Sequence, residues 1–127
     1  MIEVVDLYKS FKNYEVLRGV NLKVEEGQTL ALIGGSGKGK SVLLKLIIGL
    51  TKPDRGKILI NNQDIGKLRG KHLKQLKERC GIVFQGGALF DSLTVFDNVA
   101  FPLREKTRMK ESQIRDTVLA ELTRVGL

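Results

Sequence analysis

A single cysteine, Cys80, stands among 127 residues, which excludes an internal disulfide framework. Its neighbours do not mark it as a nucleophile, and it reads as a small, partly buried side chain. Long apolar runs are missing too. The longest stretch, residues 42–50, is broken by Lys45 and Gly49, far short of the roughly 20 residues a membrane-crossing helix needs. Met1-Ile2-Glu3-Val4 offers neither a basic start nor an apolar core, so no secretory leader is expected and a reducing, intracellular setting fits. Repeats, low-complexity tracts and Pro/Gly/Ser-rich linkers are absent. Aromatic residues are few at 6%, and none interleaves with the basic stretch Lys67, Arg69, Lys71, Lys74, Lys77 and Arg79. A net charge of +8 therefore comes without a base-stacking platform, and no nucleic-acid partner is expected. That stretch reads as a solvated helix face. Attraction to an anionic membrane leaflet is the lesser alternative.

What remains, 42% hydrophobic and 28% charged, suits one globular domain. Residues 2–7 predict a short strand, and Val20, Leu22 and Val24 alternate as in a half-buried one ending at Glu26-Gly27. Residues 29–33, Thr-Leu-Ala-Leu-Ile, read as a strand covered on both faces. From Lys40, Leu43, Leu44, Ile47 and Ile48 recur at helical spacing until Gly49. A turn through Pro53-Asp54 leads to a strand over 57–60, and Asn61-Asn62 tolerate the positive φ of the following turn. Residues 66–79 predict a basic helix and residues 81–84 a short buried strand. Val95, Phe96, Val99, Ala100 and Leu103 form a helical stripe that Pro102 is expected to disturb. Residues 111–125 predict an amphipathic helix with Ile114, Val118, Leu119 and Leu122 inward and Gly126 at its C-terminal cap. Strands alternating with helices indicate the α/β class.

Gly34, Gly35, Ser36, Gly37, Lys38, Gly39, Lys40 and Ser41 fit the pattern G-x-x-x-x-G-K-[ST] without a mismatch. The glycines let successive backbone N–H groups turn around an anion without side-chain clashes. Lys40 sets a positive charge against the β- and γ-phosphates of a nucleoside triphosphate. Ser41 offers a hydroxyl to Mg2+, and the helix beginning there points its positive end at the phosphates. A glycine-rich turn that binds nothing is the bland reading, and the flanking apolar strand and striped helix argue against it. Lys38 adds charge within the loop, either toward phosphate or, as favoured, toward solvent. The loop alone does not separate an ATPase from a GTPase or a small kinase.

Three further segments carry a resemblance. Residues 17–27 (Leu-Arg-Gly-Val-Asn-Leu-Lys-Val-Glu-Glu-Gly), residues 81–85 (Gly-Ile-Val-Phe-Gln) and residues 93–99 (Leu-Thr-Val-Phe-Asp-Asn-Val) resemble the β-hairpin, Q-loop and following segment of the ATP-binding subunits of ABC transporters. Residues 87–95 and 98–105 resemble one branch, the Mla-type ATPases of MCE-associated phospholipid transporters. The resemblance implies an ABC ATPase-like P-loop NTPase fold with an N-terminal antiparallel β subdomain, an incomplete core sheet and the start of a helical subdomain. It places the β subdomain and P-loop core at about residues 1–90 and the helical subdomain from about 91 to 127. ATP and Mg2+ are the implied ligands. Gln85 takes the catalytic Q-loop role and joins Ser41 at the metal, since a neutral amide offers oxygen to Mg2+ and NH₂ to water or the γ-phosphate. Phe11 falls where the family stacks an aromatic on adenine; Tyr14 competes for that role, Tyr8 less so, and ordinary core is the alternative. Implied partners are a transmembrane permease docking on residues 86–103, a second ATPase subunit forming a dimer, and an MCE-type lipid-binding protein. The implied location is the cytoplasmic face of the inner membrane.

No LSGGQ signature, Walker B aspartate with its neighbouring glutamate, or switch histidine can be found. No apolar run leads into an Asp-Glu pair, since Asp54, Asp64 and Asp91 follow turns or mixed residues, and His72 precedes Gln85. The chain is accordingly expected to be the N-terminal part of a nucleotide-binding domain, with at most weak ATP binding and no turnover alone. A non-catalytic nucleotide-binding or partner-docking fragment is the alternative function. A soluble GTPase or kinase is disfavoured because no guanine-specifying motif is present.

Overall fold

The computed structural model describes residues 1–84 and 86–127. They form two compact units, Met1–Gly81 and Ile82–Leu127.

The first unit is built on a four-stranded antiparallel sheet. Strands β1 (Ile2–Phe11), β2 (Tyr14–Val24), β3 (Arg55–Ile60) and β4 (Gln63–Asp64) lie in the order β2-β1-β3-β4. Asn61 and Asn62, at φ 48° and 64°, make the tight turn joining β3 to β4, in which Ile60 faces Gln63. Paired positive φ values match the right-handed twist of a two-residue hairpin. The strands are longer than their apolar alternation implies because hydrogen bonding to neighbours extends them. Register shifts interrupt β1 between Val4 and Leu7. Asp6 there has φ 48°, and this irregularity lets Val4 and Leu7, three residues apart, both be buried.

Helices α1 (Lys40–Ile47) and α2 (Gly70–Glu78) complete this unit. Its core joins Val4, Leu7, Leu17 and Ile58 of the sheet to Leu43 and Leu46 of α1, Leu76 of α2 and Ile65. Leu46 is fully buried, whereas Leu44, expected inward, is exposed. A largely apolar groove of about 650 Å³ is lined by residues that include Leu44, Ile47, Ile48, Ile60, Leu76 and His72.

The second unit pairs α3 (Val95–Lys106) with α4 (Glu111–Arg124). Ala100, Ile114 and Val118 are its buried centre, with Phe96, Val99, Leu103, Met109 and Leu122 around them. Thr94 caps α3 by accepting the Asp97 N–H at 3.0 Å. At α4, Gln113 reaches back to accept the Lys110 N–H at 2.9 Å. Gly126 follows α4 at φ 82°, its N–H bonded to the Thr123 carbonyl and that of Leu127 to Leu122, so the helix ends in a left-handed cap.

Several expectations are corrected. Residues 29–33 and 81–84 form no strand. Strand geometry needs a hydrogen-bonded neighbour, and among the described residues the sheet contains only β1 to β4. Ile33 and Val83, nearly fully exposed at 95% and 96%, are not the covered side chains their apolar runs suggest. The basic helix begins at Gly70 rather than 66, after a turn in which Asp64 accepts the Gly66 N–H at 2.9 Å. Pro102 does not stop α3, which runs on to Lys106. Pro102 is itself exposed, so water can solvate the carbonyl it leaves unpaired, while Ala100 and Leu103 anchor both sides against α4. Leu119, expected inward, is half exposed.

Candidate phosphate-binding site

The loop at residues 34–41 leads directly into α1, whose first residue is Lys40. Four of its glycines carry the backbone strain of the turn or leave room within it. Gly37 and Gly39 have φ 75° and 86°, values costly for a residue with a Cβ. At Gly34, Gly35 and Gly37 no atom of the described residues comes nearer than 3.8 Å to the position a Cβ would take. Gly39 differs. A Cβ there would lie 2.8 Å from Leu17 Cδ2, 3.0 Å from Val16 Cγ1 and 3.2 Å from the Val16 carbonyl oxygen. The loop is thus seated on β2 at this glycine.

Helix α1 has no side-chain N-cap and no acidic residue in its first turn. Its first N–H groups and the positive end of its dipole are left for an external anion. Lys40 folds over the loop, its Nζ donating to the carbonyls of Gly34 at 2.6 Å and Gly35 at 2.7 Å. This holds the ammonium above the loop. Ser41 is exposed in the first turn of α1, and Ser36 and Lys38 are exposed on the loop; Lys38 makes no ion pair among the described residues. Uncapped backbone donors, one positioned ammonium and the exposed hydroxyl of Ser41 form a donor set suited to a polyphosphate with its cation. Among the described residues no cluster of three His, Cys, Asp or Glu could hold a metal. Within the loop, the exposed Ser41 hydroxyl is a group that could meet an Mg2+ ion carried by the phosphates.

Phe11 ends β1 opposite Tyr14. At 49% exposed it is not core, and Tyr14 is more open at 64%. The Lys9 ammonium lies 5.4 Å from the Phe11 ring centroid. Val16 and Leu17, which contact the loop at Gly39, are two and three residues beyond Tyr14, about 7–10 Å along the strand. One ribbon thus positions both an open aromatic ring and the phosphate loop. Tyr8, by contrast, lies within the strand with Arg55 over its ring at 5.0 Å. Gln85 lies outside the described residues. Sequence reasoning missed the seat of the loop: nothing in the spacing of Val16, Leu17 and Gly39 signals that they touch.

In the second unit, Asn98 is a member of the family-like segment whose role spacing does not reveal. Its Oδ1 accepts the Phe90 N–H at 2.8 Å, and its Nδ2 lies 3.1, 3.3 and 3.0 Å from the carbonyls of Phe90, Leu93 and Thr94. Arg104 pairs with Asp97 at 2.9 Å and with Glu111, tying α3 to the start of α4. The Thr94 hydroxyl, then Arg104, holds the Asp97 carboxyl below its ordinary value. Arg104 does the same for Glu111.

A glycine loop feeding a lysine-headed helix, seated on an antiparallel ribbon and followed by a helical unit, defines a P-loop nucleotide-binding fold of the α/β class. Comparison with known families matches residues 17–127 to the ABC transporter family, and the chain belongs to that family. It is 48% identical over 126 residues to the "Probable ribonucleotide transport ATP-binding protein mkl" of Mycobacterium leprae, covering 99% of this chain and 36% of that protein. It is 44% identical over 127 residues to the "Intermembrane phospholipid transport system ATP-binding protein MlaF" of Haemophilus influenzae, covering 100% of this chain and 48% of that protein. Among solved structures, the ATP-binding cassette MJ0796, in a dimeric post-hydrolysis state bound to ADP and Pi, superposes with a TM-score of 0.84 at 32% identity. That match covers 97% of this chain and 56% of the other. The chain spans about half or less of the length of these curated relatives.

Proposed function

We propose that this chain supplies the phosphate-holding part of the ATP site of an ABC transporter ATPase that couples ATP binding and hydrolysis to phospholipid transport. The observation that carries this reading is the glycine loop at residues 34–41, with the Lys40 ammonium bonded to the carbonyls of Gly34 and Gly35 and an uncapped helix behind. In it, Lys40 holds the β- and γ-phosphates, backbone N–H groups of the glycine loop surround them, and Ser41 meets Mg2+. Phe11 stacks on adenine. Gln85 serves the attacking water and the metal. Residues 1–90 act as β subdomain and P-loop core, and residues 91–127 begin the helical subdomain.

Partners follow from the same reading. None of the described helices is long and apolar enough to cross a membrane, and in this reading a transporter containing this chain has a membrane-crossing path in another subunit. We assign that path to a permease docking on residues 86–103, with a second ATPase subunit completing a dimer and an MCE-type protein carrying lipid. The chain would then sit on the cytoplasmic face of the inner membrane. Phospholipid is preferred to ribonucleotide as cargo because residues 87–95 and 98–105 resemble the Mla-type branch.

The test uses the full-length protein assembled with its permease. A charge-assisted hydrogen bond is worth about 1.5–3 kcal/mol, so Lys40→Ala is expected to weaken ATP binding roughly 10- to 150-fold and to abolish phosphate release. ATP affinity unchanged by Lys40→Ala would remove the site assignment. Transfer of labelled phospholipid between vesicles and permease-containing liposomes, compared with ribonucleotide uptake, separates the two cargo readings.

A further inference from the structure

We infer that Asn98 is a positioning residue for the permease contact: its amide fixes the loop at residues 89–94 in the shape that receives a cytoplasmic helix of the permease. This deepens the proposed function and rests on its docking assignment.

The loop displays apolar side chains. Leu89 is 70% exposed, and Phe90, Leu93 and Val95 are also open to solvent. Apolar side chains on an unrestrained loop fold onto one another or onto the nearest core. Here the backbone is fastened instead. Asn98 uses both ends of its amide, accepting from the Phe90 N–H and donating among the carbonyls of Phe90, Leu93 and Thr94. Two amide hydrogens facing three carbonyls bind the loop as a unit rather than at one point. The Leu93 N–H closes the same turn onto the Phe90 carbonyl at 3.1 Å. Phe90 further rests on Phe101 of α3, ring centroids 5.0 Å apart. The loop is thereby held with its apolar side chains outward, and a partner meets a surface whose ordering entropy has already been lost on folding.

Charge favours a permease helix as the occupant. Asp91 projects from the middle of the loop, is exposed, and makes no ion pair among the described residues. Cytoplasmic segments of membrane proteins are rich in Lys and Arg. An amphipathic helix with a basic end complements an apolar loop bearing one free carboxylate.

The experiment compares Asn98→Ala and Asn98→Asp in the full-length protein, measuring affinity for the detergent-solubilised permease, affinity for ATP, and amide exchange. Asn98→Asp keeps an acceptor for the Phe90 N–H but turns a carboxylate toward the three carbonyls, so it tests the donor side and is available if the alanine variant does not fold. Expected are a tenfold or greater loss of permease affinity in either variant, ATP affinity within twofold of the parent, and faster exchange confined to residues 89–94. Permease affinity within twofold of the parent would overturn the inference, as would exchange accelerated equally throughout α3 and α4, the mark of a merely structural residue. Leu89→Ala, measured beside them, separates the two levels. If it weakens the complex while the Asn98 variants do not, only the role of Asn98 fails; if none of the three weakens it, the docking assignment fails as well.

Discussion

Replacing Gly39 by alanine probes the join between the phosphate loop and the sheet. Two costs combine there. The residue has φ 86°, and a left-handed backbone costs an ordinary residue about 1–2 kcal/mol. The added Cβ would also stand 2.8 Å from Leu17 Cδ2 and 3.2 Å from the Val16 carbonyl oxygen. Leu17 is only 5% exposed, so its methyl has little room to retreat, and the carbonyl belongs to the hydrogen-bonded strand. Overpacking of this kind costs about 1–3 kcal/mol. The sum, roughly 2–5 kcal/mol, is a large share of the 5–15 kcal/mol that typically stabilises a domain.

Gly37 supplies the control. Its φ is 75°, yet among the described residues a Cβ there would meet nothing within 4 Å, so the backbone cost of about 1–2 kcal/mol applies. Urea unfolding of the nucleotide-free full-length variants, followed by circular dichroism, should show Gly39→Ala less stable than Gly37→Ala by about 1–3 kcal/mol. Equal midpoints and slopes for the two variants would refute the claim that the loop is seated on β2. Working without nucleotide matters, because either methyl could also obstruct a bound phosphate.

Phe11→Ala should leave the unfolding midpoint almost unchanged, within about 0.5 kcal/mol, because the ring is half exposed. If the ring stacks on adenine, ATP binding should weaken by about 1–3 kcal/mol, judged from base–aromatic stacking elsewhere; isothermal titration that finds equal ATP affinity removes the role. The Asp97–Arg104–Glu111 network predicts a pH dependence. Both carboxyls have folded-state values below their ordinary ones, so their contribution is fully present above the ordinary carboxylate range and is lost as pH falls through the depressed values. Thermal melts monitored by exchange at α3 and α4 should therefore lose stability below about pH 4, and Arg104→Ala should flatten that part of the dependence; an unchanged acid limb in the variant would discard the network as its source.

Legibility followed the range of the interactions. Asn61-Asn62, Gly126 and the loop at 34–41 act within a few residues of themselves, and their turns, cap and helix start stand where their chemistry places them. Residues 29–33 and 81–84 show the limit. Their apolar runs are strand-like, but a strand is completed only by a neighbour, and the sheet of the described residues is wholly antiparallel and contains neither. The same dependence explains Leu44 and Leu46. The helical stripe expected for α1 includes Leu44 and omits Leu46, and only the position of the sheet decides that Leu46 is buried while Leu44 faces the groove. It explains Asn98 as well, whose neighbours in sequence suggest a helix but whose hydrogen bonds reach back as far as Phe90. A motif that binds through its own backbone can be read from its letters. A residue whose role is to hold another segment in place can be read only once that segment is beside it, and Gly39 belongs to both kinds: its place in the motif announces the phosphate, while its contact with Val16 and Leu17 had to be found in the fold.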